Sequence, residues 1–286
     1  MNLYPAINYE TLYKLKIQKL IPYIKQKQNL NKPLDLHLLE SLTNIDKTTI
    51  ERTYNIIEYN FKEIEKAYPE VKIQYLENNL IPYFMYQGNL NLLKTNCITI
   101  AGTRKPSPWG RLESERITSY LGKKGYTIIT GLAKGIDTLA NKKALEEGLN
   151  TIAVIATPIN KYYPAENRKI QNQISKEGLL ITPFAPNTNT RKWHFLLRNK
   201  VMVNFSLASI VIEAFDGGGS TQLANYTNSK EKPVFTSNFF YKNNVTTWQK
   251  KICKIYTYSD YGEVDKAIKN PYFRKSIEKR FQRELF

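Results

Sequence analysis

The chain has 286 residues, 42% hydrophobic and 23% charged, which is enough apolar material for a real core and argues against disorder. Lys and Arg total 42 against 25 Asp and Glu, and the net charge of +17 points to a polyanionic partner or to a genome that favours lysine. No stretch approaches the roughly 18 apolar residues of a membrane helix, the start MNLYPAINYE lacks a signal-peptide pattern, and neither the two cysteines nor the two histidines have metal or disulfide spacing, so a cytoplasmic, metal-free and cofactor-free protein is expected.

The first ninety residues are rich in Lys, Asn, Gln and Tyr and hold one glycine, Gly88. Apolar residues recur at helical spacing at Leu12, Leu15, Leu20 and Ile24, and again at Ile50, Tyr54, Ile57, Phe61 and Ile64. Pro22, Pro33 and Pro69 interrupt them. A small helical N-terminal module over residues 1–80 is expected, with amphipathic faces that read as core.

From Asn96 onward short apolar runs appear at 97–101, 126–130, 151–156, 179–182, 209–213 and 233–236. They are continuous rather than alternating, as in strands buried on both faces. Helical stretches separate them at 111–124, 136–147 and 167–176, followed by Gly125, Gly148 and Gly178. Glycine just past a helix is a stop signal because it adopts the left-handed conformation. Strand alternating with helix predicts an α/β fold with a doubly wound, mainly parallel sheet. Residues 254–258 add a further strand, 262–269 a helix, and 274–286 a basic helix.

In such sheets ligands bind beyond the carboxyl ends of the strands. Three turns there suit an anion. Gly102-Thr103-Arg104-Lys105-Pro106-Ser107 follows the first parallel strand; Gly102 allows close backbone approach and Arg104 offers a bidentate fork. Thr130-Gly131-Leu132-Ala133-Lys134-Gly135-Ile136-Asp137 flanks a cation with glycines, and Asp137 either caps a helix or takes part in chemistry. Asp216-Gly217-Gly218-Gly219-Ser220-Thr221 is a glycine nest ahead of a helix, and Glu213, at the strand end before it, is either a carboxylate available for chemistry or an anchor that accepts the N–H groups of the nest. A fourth segment, Arg191-Lys192-Trp193-His194-Phe195 with Arg198-Asn199-Lys200, mixes cations with aromatics. Trp193 and Phe195 are either core anchors or flat platforms for bases. No nucleophile elbow or Walker lysine is present, and nothing places Glu166 beside Asp137 as an acid–base pair.

These residues resemble a known family. Ile100 to Ser107 is similar to the GSRxPS signature of the DNA-processing protein A family (DprA, also called Smf), and Thr130 to Asp137 to its SGLARGID segment. Tyr163-Pro164-Ala165-Glu166-Asn167 resembles YPxEN, Arg198 to Met202 resembles RNRII, and Ile212-Glu213-Ala214 with Gly219-Ser220 resembles VEA…SGS. Residues 82–90 resemble the lead-in PPxLYxxGN. The motifs occur in family order across about residues 80–240.

The resemblance implies an extended Rossmann-like domain over residues 81–286 that binds single-stranded DNA, usually as a homodimer; the C-terminal winged helix that many members carry is not clearly expected here. It implies a non-enzymatic protein that protects incoming DNA and helps load the RecA recombinase in natural transformation or recombination. By the matching motifs, Gly102, Thr103, Arg104 and Ser107 form a phosphate pocket and Lys134 lines it. Arg198, Asn199 and Lys200 add DNA contacts beside Gly219 and Ser220. Four positions depart from the pattern: Thr103 for serine, Lys134 and Lys200 for arginine, and Leu223-Ala224 where a Thr-Ala pair is usual. Two rivals remain. One is a nucleoside-monophosphate hydrolase of the lysine-decarboxylase-like group, whose PGGxGTxxE loop Asp216 to Thr221 echoes. The other is a nucleotide-sensing module.

Overall fold

The computed structural model describes residues 48, 62–76, 80–81, 83–186, 188–243, 247–252 and 255–270. The periodic positions before residue 62 and the basic helix at 274–286 lie outside the described residues. Residues 62–67 are helical, and Ile64 is buried.

The strands are β1 (Lys72–Tyr75), β2 (Tyr83–Gly88), β3 (Cys97–Gly102), β4 (Thr127–Thr130), β5 (Thr151–Val154), β6 (Leu179–Thr182), β7 (Ala208–Ile212), β8 (Val234–Ser237) and β9 (Ile255–Tyr258). The helices between and after them are α1 (Pro108–Lys123), α2 (Ile136–Glu146), α3 (Arg168–Glu177), α4 (Lys192–Asn204), α5 (Gly219–Ser229), α6 (Asn238–Asn243), α7 (Thr247–Lys251) and α8 (Tyr261–Lys269). One sheet runs in the order β1-β2-β6-β5-β4-β3-β7-β8-β9. From β6 to β9 every pairing is parallel; β1 and β2 are an antiparallel edge on β6. The fold is the doubly wound, mainly parallel α/β architecture expected from the alternation, and it is Rossmann-like as the resemblance implies.

The continuous apolar runs are buried because helices cover both faces. On one face Ile129, Val154, Ile181 and Val211 pack with Val201, Met202, Leu223 and Ala224 of α4 and α5. On the other, Ile98, Ile128 and Ile210 pack with Ile117, Leu121 and Ala140 of α1 and α2, and with Val264 and Ile268 of α8. Glu113, buried in α1, accepts hydrogen bonds from Tyr258 Oη at 2.6 Å and Tyr261 Oη at 3.0 Å, which ties α1 to the β9 edge.

Two expectations are corrected. Gly125 and Gly148 end α1 and α2 at φ of 86° and 64°, as stop signals do. Gly178, at φ −132°, is extended; a Cβ there would lie 2.4 Å from the Thr151 carbonyl oxygen, so contact with β5 requires the glycine. The sheet also begins earlier than residue 81, because β1 is hydrogen-bonded to β2 along its length.

The chain runs from β3 out to β6, then crosses back through α4 to lay β7 on the other side of β3. The connections that follow β3 and β7 therefore leave in different directions, and a crevice opens at their carboxyl ends.

Candidate nucleic-acid interface

A cavity of about 650 Å³ occupies that crevice. Its first wall is the turn after β3. Thr103 donates its N–H to the Ile212 carbonyl at 3.3 Å and accepts from Ile136 N–H at 3.2 Å, which clamps the turn between β7 and α2. Thr103 Oγ1 accepts from Lys105 N–H at 3.2 Å. The clamp leaves Arg104 exposed, and its side chain lines the cavity. Gly102 also lines it, yet the reason for glycine is internal. A Cβ would sit 2.1 Å from the Ile212 oxygen and 2.6 Å from the Ile136 side chain. Ser107 is turned elsewhere. It caps α1, with Oγ accepting from Gly110 N–H at 3.1 Å, and it gives both its N–H, at 2.8 Å, and its hydroxyl to the Glu213 carboxylate. Glu213 thus anchors the Ser107 turn rather than the glycine nest.

The second wall is the turn after β4. The Asp137 carboxylate accepts from Gly131 N–H at 3.0 Å and Ala133 N–H at 3.4 Å. Asn167, from the YPAEN segment, donates to the Leu132 carbonyl at 3.0 Å and to Thr138 Oγ1 at 2.7 Å. Arg198 reaches in from α4 and donates to the Gly131 carbonyl. A Cβ at Gly131 would lie 1.5 Å from Arg198 Nη1, so only glycine makes room for the guanidinium. Asp137 and Arg198 are 5% and 6% exposed. Burial pushes the Asp137 carboxyl up, opposed by Arg198 and the loop amides. Burial pushes the Arg198 guanidinium down, opposed by Asp137. Arg198 Nε is buried with no hydrogen-bond partner among the described residues, and Arg198 lines the cavity.

The third wall is the start of α5. Its N-cap, Gly218, provides no side-chain acceptor, so the first-turn amides beside Gly219 and Ser220 keep the positive end of the helix on the cavity. Asn199 donates to the Gly219 carbonyl at 3.0 Å, which holds α5 against α4. Asp216 lies in the lining, but its carboxylate accepts from Thr247 N–H at 3.0 Å and Trp248 N–H at 2.9 Å at the head of α7.

Thus Gly102, Thr103, Arg104, Arg198, Asn199, Gly219 and Ser220 share one cavity, together with Lys192. Ser107, Lys134 and Lys200 do not line it. Lys134 borders an adjoining recess of about 120 Å³ and pairs with Glu166 at 3.2 Å, both side chains well exposed. Lys200 lies over the Tyr226 ring, 5.6 Å from its centroid. The aromatics also divide. Trp193 packs inward on Phe184 and His194. His194 stacks on Phe184 at 3.8 Å, and burial pushes its pKa down to about 4. Phe195 lines the cavity with its ring 5.5 Å from that of Tyr163. Tyr163 and Phe215, each 50% exposed, complete an aromatic rim. Phe215 was not singled out from the sequence; its place between a strand end and the glycine nest was the available signal.

Among the described residues no helix is long and apolar enough to cross a membrane, and no cluster of His, Cys, Asp or Glu is arranged to hold a metal.

The DNA processing protein DprA of Streptococcus pneumoniae is 28% identical over 246 residues, 80% of this chain and 86% of that protein. Protein Smf of Synechocystis is 34% identical over 159 residues, 54% of this chain and 40% of its own length. The match to DprA of Bacillus subtilis, at 32% identity, covers half of that protein. The X-ray structure of the Streptococcus pneumoniae protein superposes with a TM-score of 0.70 at 23% identity, covering 91% of this chain and 98% of that one. DNA processing protein A from Helicobacter pylori, described for its mode of binding single-stranded DNA, gives a TM-score of 0.62 at 22% identity, covering 70% and 95%. The family model for DNA recombination-mediator protein A matches residues 61–256, well over half of the chain, and this chain belongs to that family.

Proposed function

We propose that the chain binds single-stranded DNA across the β3–β7 crevice and serves in DNA uptake and recombination. The observation that carries the reading is the convergence, in one cavity, of Arg104, Lys192, the buried Arg198 and the α5 amides, with Tyr163, Phe195 and Phe215 at its rim. Cations that follow a backbone and rings that meet bases are how single strands are held without sequence readout.

Arg104, Thr103 and the amides at Gly219 and Ser220 take phosphate oxygens. Gly102, Arg198 and Asn199 shape the wall, and Arg198 adds its charge. Ser107 fixes the turn that carries Arg104. Lys134 and Lys200 extend the basic surface on either flank. The net charge of +17 supports a polyanion as partner. Family membership supports the wider reading: a homodimer that loads RecA, acts in the cytoplasm and performs no catalysis. Hydrolysis of a nucleotide is disfavoured because the two carboxylates in the lining are engaged, Asp137 by its own loop and Asp216 by α7.

Fluorescence anisotropy of labelled oligothymidylates against salt tests the reading. Affinity is expected to rise with strand length and to fall with salt at a log–log slope of about −0.7 per phosphate neutralised. Equal affinity for a mononucleotide and a long strand would overturn it.

A further inference from the structure

The large apolar side chains exposed among the described residues are Leu112, Tyr163, Leu196, Phe215 and Phe239. All five stand on segments that follow the carboxyl ends of the strands, the edge that carries the cavity. Tyr163, Leu196 and Phe215 line the cavity; Leu112 and Phe239 lie outside its lining. Phe239, 53% exposed, is the second residue of α6, which follows β8 directly, and its ring lies 4.7 Å from that of Trp109 at an interplanar angle of 33°. Trp109 is in the first turn of α1, the turn fastened to β7 through Ser107 and Glu213. A Cβ at the next residue, Gly110, would fall 2.4 Å from that carboxylate, so this turn is fixed closely against β7. Phe215 lines the cavity, and its ring is 6.2 Å from that of Phe240, the buried residue after Phe239.

We infer that the Phe239–Trp109 pair is a second base-stacking platform, over which a DNA strand passes as it leaves the cavity past Phe215. The inference rests on the single-strand reading above. The cavity falls within the roughly 300–1,000 Å³ typical of a site for one small ligand, so a strand of more than a few nucleotides must run out of it. The pair stands on the same strand-end edge of the sheet as the cavity. Lys105 and Arg111, close to Trp109 in sequence, and Lys242, one helical turn after Phe239 in α6, are exposed cations. Flat rings interleaved with cations suit successive bases and phosphates. A protein partner is the outcome the test must separate.

The test compares the wild type with Phe239→Leu, which keeps an apolar side chain but removes the ring, and with Phe239→Tyr, which restores it. Labelled oligothymidylates of about 4 and about 16 nucleotides serve as probes, spanning the site sizes of single-strand-binding modules. The Leu variant is expected to bind the long strand roughly 5- to 150-fold more weakly, the loss of one stacked base, with its salt slope unchanged. It is expected to bind the short strand as the wild type does, and Phe239→Tyr to restore the long-strand affinity. An unchanged long-strand affinity in Phe239→Leu overturns the platform, and so does an equal loss on both strands. A Leu variant that binds DNA normally but changes mass in solution overturns it in favour of a protein contact. Wild-type protein that binds neither strand overturns the single-strand reading itself, a result distinct from the others.

Discussion

The turns after β4 and after β7 face each other across the same cavity, and in sequence both are glycine-rich connections from a strand to a helix. They are built for different ends. In the β4 turn the polar groups are engaged internally: Asp137 holds two loop amides, Asn167 holds the Leu132 carbonyl, and Arg198 is inserted against Gly131. In the β7 turn Asp216 is engaged by α7 and Thr221 Oγ1 by the Phe215 carbonyl at 2.6 Å, while the α5 amides receive no side-chain cap. One wall sets the shape of the cavity and the other offers hydrogen-bond donors to what enters it. A basic residue in a glycine-rich motif is therefore not by itself a contact residue.

The contrast is sharpest in Arg198. Arg198→Ala removes the larger of two positive charges acting on the buried Asp137 carboxylate, together with the bond to the Gly131 carbonyl, and is expected to cost about 1.5–3 kcal/mol of stability in urea melts. Ser220→Ala, on the open wall, is expected to change stability by less than about 0.5 kcal/mol. Equal effects would break the division into a structural and a receiving wall. Ser107→Ala removes a helix cap and one of the two bonds to Glu213, and a loss of about 1–2 kcal/mol is expected in the same melts.

Acid probes α4 differently. The pKa of His194 is about 4 when folded, against 6.5 for the ordinary side chain. Between those values the unfolded chain takes up a proton that the folded chain refuses, so stability falls as pH drops through the window and is flat above it. His194→Gln is expected to lose that part of the acid sensitivity, read as a smaller difference between urea midpoints at about pH 7 and about pH 5. A difference as large as in the wild type would show that the imidazole is not the group responsible.

The smallest effect is reserved for Lys200. Arg104→Ala is expected to flatten the log–log salt dependence by about 0.7, the contribution of one phosphate, and Lys200→Ala by distinctly less, because it stands over Tyr226 outside the cavity. Equal changes would move the strand's path onto the α4–α5 surface.

Much of the fold could be read from sequence because parallel strands buried on both faces announce themselves as unbroken apolar runs; Leu179–Thr182 occupies the expected residues. β1 and β2 were missed as strands. An antiparallel edge is buried unevenly, and in Tyr83–Gly88 the first residues are covered and the last exposed. Several residues that line the cavity lie in the motifs, but the motifs do not give their directions. Trp193 and Phe195 are two residues apart on a helix, as are Arg198 and Lys200, and such pairs point to nearly opposite sides. Which of each pair meets the cavity depends on how α4 lies on the sheet, which no local pattern specifies. Glu213 could be assigned a hydrogen-bonding role at a strand end, but the loop it reaches is decided by β3 lying beside β7.

Photocrosslinking of an oligonucleotide carrying 5-bromodeoxyuridine, followed by peptide mapping, tests the central claim most directly. The account predicts adducts at Tyr163, Phe195 and Phe215, lost when unlabelled single strand competes. Adducts confined to the surface of α3 or α8, with none at the β3–β7 crevice, would contradict it.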